Sequence, residues 1–339
     1  MFNGLGRIPR LTALGLLAAA LAVSSQPESA SAKSVRKPRP DSVEYRLSWP
    51  LEVIGARNAY AAGYTGRGVR IALIDCGVHP KMDLGRNLSR ESVDMNPVRS
   101  AHLSDPHGRW VAQPLGAALD GRGTVGLAYN ATLIEIRADM DGGYHGECAF
   151  WPRDVARAVD YAVGNKARII ILPMQAKNPL GKAFESALER AVASGAVIVA
   201  AAGNDTLAET AYPARYAADP RFAASMVVAG ALTPDGTIAP WSNRAGLVKS
   251  RYLLAPGQWI LTDCRRKCEF AHGTSFATPF VAGALALVME ANPQISGPDA
   301  AERVLDAAKP MEAPGGEAAY GRGALSVSRL FPTTEPVRN

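Results

Sequence analysis

Short apolar runs alternate with amphipathic stretches through most of the chain. The runs are rich in β-branched residues and bounded by turn residues, so they predict buried strands. These strands are predicted at 69–74, 131–136, 169–172, 196–200 and 226–231. Between them, apolar residues recur at the spacing of a helix face, at 155, 158, 159 and 162 and at 184, 188, 191 and 192. The alternation predicts an α/β fold with a mostly parallel central sheet and helices on both faces.

The regions outside this alternation predict further elements. A helix with Ile54, Ala59 and Ala62 facing inward should precede the first strand and end at Gly63. A long apolar helix is predicted to begin at Ser275, with Pro in its first turn. Short strands at 252–254 and 259–261 and a last helix over 300–307 are also predicted.

The first 32 residues have the composition of a secretory signal peptide. Basic residues at 7 and 10 precede an apolar run at 11–23, which is too short for an ordinary membrane span. Ala30-Ser31-Ala32 matches a cleavage site. An uncleaved anchor is the alternative. The mature protein is therefore expected to be secreted or periplasmic, with no stable membrane anchor after signal cleavage.

The rest of the chain divides into three parts. Residues 33–44 are basic, contain proline and have few apolar side chains, which predicts a linker or a short pro-segment. Residues 45–332 are expected to form the folded domain, and residues 333–339 a tail.

Composition excludes some classes of protein. With 339 residues, 47% of them apolar and 20% charged, the chain has ample material for a globular core. The formal net charge is +6, but the basic residues are mostly scattered and form no face with interleaved aromatics. We therefore predict no nucleic-acid partner. A monomer is expected.

Four polar residues stand where catalytic groups are typically found. Asp75 ends an apolar strand, His107 precedes Gly108 and a helical stretch, and Asn204 follows a strand and a glycine. Ser275 lies in Gly273-Thr274-Ser275, ahead of the apolar helix. Each residue alone has a structural alternative: an Asx turn, a surface turn, a turn asparagine and a helix N-cap, respectively.

Together, the four residue types suit acyl transfer. A serine hydroxyl is a poor nucleophile and needs a base, and a histidine such as His107 can take its proton and later protonate the leaving amine. Asp75 would fix the imidazole tautomer. Asn204 and the backbone N–H of Ser275 would stabilise the oxyanion.

These motifs resemble those of the subtilisin-like serine peptidases, the subtilase family, over residues 45–330. The matching segments are Tyr64-Thr65-Gly66, Val69 to Asp75, His107-Gly108, Val111-Ala112, Ala201-Ala202-Gly203-Asn204, Leu254-Ala255-Pro256-Gly257, Gly273-Thr274-Ser275, Ala277, Pro279, Val281-Ala282-Gly283 and Tyr320-Gly321-Arg322-Gly323.

The resemblance implies a three-layer subtilisin-like fold and a serine endopeptidase acting on a polypeptide substrate. Asp75, His107 and Ser275 would be the catalytic triad and Asn204 the oxyanion donor. The implied substrate-binding residues are Pro173, Met174, Gln175, Ala201, Ala202 and Gly203.

Two departures from the family pattern concern the site. Arg109-Trp110 stand where the family has Thr-His, and Gln113 replaces a glycine. The substrate-binding strand ends Pro173-Met174-Gln175 rather than Ser-Leu-Gly, so Pro173 cannot donate a hydrogen bond and Gln175 adds a side chain where the family leaves space.

The chain has four cysteines, which an exported protein tends to use in disulfides. A Cys264–Cys268 bridge at a hairpin tip is predicted. Cys76 is interpreted as a buried thiol, with a Cys76–Cys148 bridge as the alternative. No metal or other cofactor is predicted, because no ligand spacing or carboxylate loop is present.

Two other functions compete with the serine endopeptidase. A degenerate protein of the same fold that binds peptides or a partner is favoured by Pro173-Met174-Gln175 and Arg109-Trp110. An α/β-hydrolase esterase is disfavoured, because that fold places its serine in G-x-S-x-G and orders the triad serine, acid, histidine.

Overall fold

A sheet of seven parallel strands forms the centre of the computed structural model, within the described residues 37–77, 84–96, 98–99, 106–141, 148–262, 264 and 268–333. The strand order is β2-β3-β1-β4-β5-β6-β7. The strands are β1 Arg70–Asp75, β2 Val93–Asp94, β3 Thr132–Arg137, β4 Ile169–Leu172, β5 Val197–Ala201, β6 Met226–Leu232 and β7 Tyr252–Pro256. Every pairing between neighbours is parallel, as the alternating pattern predicts.

Helices cover both faces of this sheet. They are α1 Val43–Leu47, α2 Pro50–Val53, α3 Ala56–Ala61, α4 His107–Gly116, α5 Pro152–Gly164, α6 Lys182–Ala193, α7 Thr278–Ala291, α8 Gly297–Asp306, α9 Glu317–Tyr320 and α10 Val327–Leu330. Successive residues of a strand point to opposite faces, so an all-apolar strand supplies two cores. In β4, Ile169 and Ile171 join the core that contains α4, α7 and α8, whereas Ile170 and Leu172 join the core with α5 and α6. The predicted three-layer fold is confirmed.

The helix predicted before the first strand is broken in two. Gly55 has a φ of 75° and separates α2 from α3. A Cβ atom on Gly55 would lie 2.6 Å from the Cβ atom of Ser328, so the left-handed turn also allows close packing. Ile54 and Ala59 are buried as predicted, but Ala62 is exposed because it follows the last turn of α3.

The irregular region after residue 239 contains both predicted strands. The first, β7, joins the main sheet at its edge. The second, β8 Ile260–Thr262, forms an antiparallel hairpin with β9 Glu269–Ala271. The hairpin tip was predicted from the two cysteines, but β9 itself was not. Cys264 and Cys268 form the predicted disulfide within this hairpin.

The helix α7 runs through the protein interior. Every residue from Thr278 to Met289 is buried, which explains why its sequence is apolar on all sides. With the preceding turn it is long and apolar enough to cross a membrane, but 89% of this stretch is buried inside the protein.

The third helix and the last described helix pack against each other. α3 packs against α10, and Val327 N–H donates to the Ile54 carbonyl oxygen at 2.7 Å. Asn58 Nδ2 donates to the carbonyl oxygen of Phe331 at 3.0 Å. These contacts hold the N-terminal and C-terminal parts of the folded region together.

The predicted signal peptide, residues 1–32, lies outside the described residues, as do 33–36 of the predicted linker and 334–339 of the predicted tail. Residues 37–42 of the predicted linker lead into α1, which begins at Val43 with the Ser42 hydroxyl as its cap, so the last two residues of the predicted linker are helical.

Leu285 and Leu247 provide a matched test of the core. Leu285 lies on α7 and is 0% exposed, whereas Leu247 is 73% exposed. We predict that Leu285→Ala lowers the free energy of unfolding by about 2–5 kcal/mol, because it leaves a cavity in a packed interior. Leu247→Ala should change it by less than about 0.5 kcal/mol. Urea denaturation measures both, and equal losses would contradict this account of the core.

Candidate active site

The candidate residues meet where three neighbouring strands end. β1 ends at Asp75, β4 continues into Pro173, and β5 continues towards Asn204. The register pairs Ala72 with Ile170 and Leu172 with Ala200, so the carboxyl ends of the three strands lie at one edge of the sheet. In open parallel sheets this edge is where binding sites form.

Asp75 is fully buried and is hydrogen-bonded to the first residue of α4. His107 Nδ1 lies 2.8 Å from Asp75 Oδ1, and the backbone N–H of Cys76 donates to the same oxygen at 2.7 Å. Gly108 permits this approach, because a Cβ atom there would lie 2.7 Å from the Gly77 carbonyl oxygen. The hydrogen bond fixes the orientation of an imidazole that is itself part-buried.

Ser275 lies in a 3-10 turn, Thr274–Phe276, and not at the start of α7. The predicted helix start is therefore corrected: Ala277 precedes the first residue of α7, Thr278, and Pro279 lies in its first turn as predicted. Pro279 has no N–H to satisfy, which suits that first turn. The 3-10 turn leaves the Ser275 side chain facing the edge of the sheet.

The Ser275 hydroxyl donates to the Pro173 carbonyl oxygen at 2.7 Å. A hydroxyl has a single hydrogen, so in this rotamer the proton is directed at Pro173. Ser275 and His107 nevertheless line the same cavity, of about 580 Å³. The His107 ring also packs on the ring of Phe276, with 5.5 Å between centroids. Rotation about one side-chain bond would redirect the hydroxyl.

Asn204 is held by the residue that precedes the serine. Its Oδ1 accepts from the backbone N–H and from the hydroxyl of Thr274, both at 2.9 Å. The Thr274 hydroxyl in turn accepts from the Gly203 N–H at 3.1 Å. Because Oδ1 is occupied in this way, the Nδ2 donor is the end of the amide that remains for a ligand.

The strand ends predicted to bind substrate differ in exposure to the cavity. Pro173, Met174 and Gln175 line it together with Asn204. Ala201 and Ala202 are buried, and the Ala202 carbonyl oxygen accepts from Ala211 N–H at 2.8 Å inside the protein.

Sequence reasoning missed the opposite wall of the cavity. Cys148, Ala149 and Phe150 line this wall, and Met140 N–H donates to the Ala149 carbonyl oxygen at 2.7 Å. No sequence periodicity marks this short irregular segment. Cys148 was the one available signal, because an exported protein tends to pair its cysteines, and Cys148 is bonded to Cys76.

Cys76 is not a free thiol. It forms a disulfide with Cys148, across a Cα–Cα distance of 6.1 Å. The interpretation as a buried thiol is therefore wrong: Cys76 is buried, but the turn after β1 brings it against the cavity wall. Asp75, Cys76 and Cys148 cluster closely enough to hold a metal ion, yet two of the three are joined in a disulfide and offer no thiolate.

Charged residues on the neighbouring strand support the same wall. Arg137 is in register with Asp75, and its Nε lies 2.8 Å from Asp139 Oδ1. Burial raises the pKa of the Asp139 carboxyl, and its hydrogen bond with Arg137 opposes that rise. Asp139 also pairs through its backbone with Phe150, so this ion pair anchors the wall of the cavity.

The remaining predicted features near the site are placed as follows. Arg109 and Trp110 lie in the first turn of α4, and Arg109 Nη2 lies 3.8 Å from Glu269 Oε2 on the β8–β9 hairpin. Gln113 is buried within α4. His272 Nδ1 accepts from Trp259 N–H at 3.3 Å. The other histidines, His79, His102 and His145, are interpreted from the sequence as surface or structural residues and lie outside the described residues.

Comparison with known proteins gives consistent matches. A family model described as the subtilase family, Peptidase_S8, matches residues 66–323. Subtilisin E of Bacillus subtilis (strain 168) is 28% identical over 295 residues, which are 84% of this chain and 71% of that protein. Subtilisin BL of Lederbergia lenta is 30% identical over 252 residues, covering 74% of this chain and 87% of that protein.

Two solved structures share the fold. A protease from Pseudoalteromonas arctica PAMC 21717 has a TM-score of 0.72 at 22% identity and covers 87% of this chain and 99% of that chain. The prenylagaramide maturation protease PagA has a TM-score of 0.68 at 22% identity and covers 82% of this chain and 97% of that chain.

The two disulfides should contribute unequally to stability. Cys76–Cys148 spans 72 positions and Cys264–Cys268 spans 4. Because a longer closed loop removes more entropy from the unfolded chain, we predict losses of about 4 kcal/mol for the double Cys→Ser variant of the first pair and about 2 kcal/mol for the second. Denaturant titration measures both. A larger loss for the Cys264–Cys268 pair would contradict the loop-entropy argument.

Proposed function

The chain belongs to the subtilase family and is a serine endopeptidase, and we propose that Asp75, His107 and Ser275 form its catalytic triad. The observation that carries this proposal is the 2.8 Å hydrogen bond from His107 Nδ1 to buried Asp75, beside a cavity that Ser275 also lines. Polypeptides are the substrates.

The first step requires Ser275 to leave Pro173. Rotation of the side chain directs the hydroxyl proton to His107, and the oxygen then attacks the substrate carbonyl carbon. The same rotation frees the Pro173 carbonyl oxygen, which Ser275 occupies at 2.7 Å, to accept an N–H group of the substrate. Asp75 stays ionised and stabilises the imidazolium that forms.

The tetrahedral intermediate places a negative charge on the former carbonyl oxygen. Asn204 Nδ2 and the Ser275 backbone N–H are the proposed donors to it. Thr274 orients this amide in advance through its two hydrogen bonds to Oδ1. The imidazolium then protonates the leaving amine, the C–N bond breaks, and water activated by His107 hydrolyses the acyl-enzyme.

We also propose that the protein is exported and that residues 1–32 are removed. The support is the order of basic, apolar and small residues at 7–32. N-terminal sequencing of protein recovered from the medium or the periplasm should give a start near Lys33. An intact start at Met1 in the membrane fraction would instead identify an uncleaved anchor.

The alternative of a peptide-binding protein without activity, which the departures at 173–175 and 109–110 favour, has one further observation behind it in the structure. The Ser275 hydroxyl is bonded to Pro173, and a serine locked in this rotamer would not attack a substrate. The labelling experiment below distinguishes the two, because only a serine with a working base reacts with a fluorophosphonate.

We predict that a fluorophosphonate labels Ser275 and that Ser275→Ala abolishes the labelling and the hydrolysis of casein. The matched control is Ser250→Ala, on an exposed serine away from the cavity. Mass spectrometry locates the label. A folded wild-type protein that stays unlabelled would favour the peptide-binding alternative.

Asn204→Ala should lower kcat by about 10²–10³, the range that loss of such an oxyanion donor causes in subtilisin. KM should change little, because the interaction strengthens in the transition state. Asn178→Ala, on an exposed asparagine of the same surface region, serves as the control. Wild-type turnover by the Asn204 variant would remove Asn204 from the oxyanion site.

A further inference from the structure

The side chain of Gln175 bridges the continuations of β4 and β5. Its Oε1 accepts from the backbone N–H of Asn204 at 2.6 Å, and its Nε2 donates to Asp205 Oδ2 at 3.2 Å. Both ends of the amide are therefore held by the neighbouring segment. One of these bonds has a carboxylate acceptor, the stronger kind of hydrogen bond.

The cleft is the space between the 173–176 and 202–205 segments, and the backbone below the Gln175 bridge is closely packed. A Cβ atom built on buried Gly203 would clash with Asn243 Nδ2 and would lie 2.9 Å from the Cβ atom of Ala211 and 3.2 Å from Gln175 Oε1. Ala211 N–H donates to the Ala202 carbonyl oxygen at 2.8 Å, which fixes the floor of the cleft.

The far end of the cleft is closed as well. Ala176 and Tyr212 exchange two backbone hydrogen bonds, of 2.7 and 3.0 Å. The 173–176 segment is thus tied to the 202–212 segment by Gln175 near the nucleophile and by this pair beyond it.

The reacting carbonyl must lie beside this cleft. Its carbon contacts the Ser275 hydroxyl, and its oxygen points to Asn204 Nδ2. The Cα atom of the acyl residue, whose carbonyl is attacked, is only about 1.5 Å from that carbon. With its N–H on the Pro173 carbonyl oxygen and its carbonyl oxygen at Asn204 Nδ2, as in the proposed mechanism, the acyl residue spans the two segments that Gln175 bridges, and its side chain lies against that bridge.

We propose that Gln175 occupies the space for the acyl-residue side chain and restricts cleavage to bonds after small residues such as Ala, Gly or Ser. This inference rests on the proposed function. A larger side chain has to displace Gln175 and break both of its hydrogen bonds, which leaves the Asn204 N–H without its partner. The loss of these hydrogen bonds lowers kcat/KM for substrates with a large acyl residue and does not affect substrates with a small one.

The test uses two peptide series that differ only in Ala or Phe at the acyl residue. The wild type should favour Ala over Phe in kcat/KM by about tenfold or more. Gln175→Ala should raise the Phe-to-Ala ratio of kcat/KM by about tenfold, and this ratio is the readout whatever the variant does to the overall rate. Lys177→Ala, an exposed change on the same segment, is the control and should keep the wild-type ratio.

Asp205→Ala provides a second variant in case Gln175→Ala disturbs Asn204. It removes the acceptor of Gln175 Nε2 and leaves the bond to the Asn204 N–H, so it should shift the Phe-to-Ala ratio in the same direction by a smaller factor. Both peptides are uncharged at the acyl residue, so the lost carboxylate does not itself select between them.

Fluorophosphonate titration of active sites separates this inference from the proposed function. Absent labelling of Ser275 would overturn the catalytic assignment. Full labelling together with an unchanged Phe-to-Ala ratio in both variants would overturn the role of Gln175 alone. A wild type that cleaves after Phe as readily as after Ala would also overturn it.

Discussion

The buried charge of Asp75 is the constraint on which the geometry of the site depends. A carboxylate removed from water is costly unless hydrogen-bond donors reach it. His107 Nδ1 and the Cys76 N–H supply two such donors to Oδ1. For His107 to do so, α4 must begin against the end of β1, and the contact between Gly108 and Gly77 makes this possible. The position of one carboxylate thus sets the position of a whole helix.

Much of this arrangement was predictable because its parts are local in sequence. Residues 169–172 are all apolar and were placed as a buried strand, with the bounds found in the structure. The polar residues at the strand ends could be assigned to one edge because parallel strands share a direction. Their proposed roles as a catalytic group came from the combination of residue types and from the family resemblance.

The features that were missed depend on contacts between distant segments. The Cys76–Cys148 disulfide requires the turn after β1 to reach a wall segment 72 positions away, and no pattern in either segment encodes that approach. The 3-10 turn at Ser275 replaces a helical turn because Thr274 is hydrogen-bonded to Asn204, in the distant segment that follows β5. The break at Gly55 likewise follows from packing on Ser328.

The packing of α3 against α10 has a consequence for the order in which the chain folds. Asp75 and His107 lie in the first third of the chain, whereas Ser275 and the residues that pair with Ile54 lie near its end. Contacts of such long sequence separation form late and slowly. While the chain is being synthesised, Asp75 and His107 therefore cannot meet Ser275 until most of the polypeptide has left the ribosome. With the proposed triad, a nascent chain has no means of cleaving itself or its neighbours before it is nearly complete.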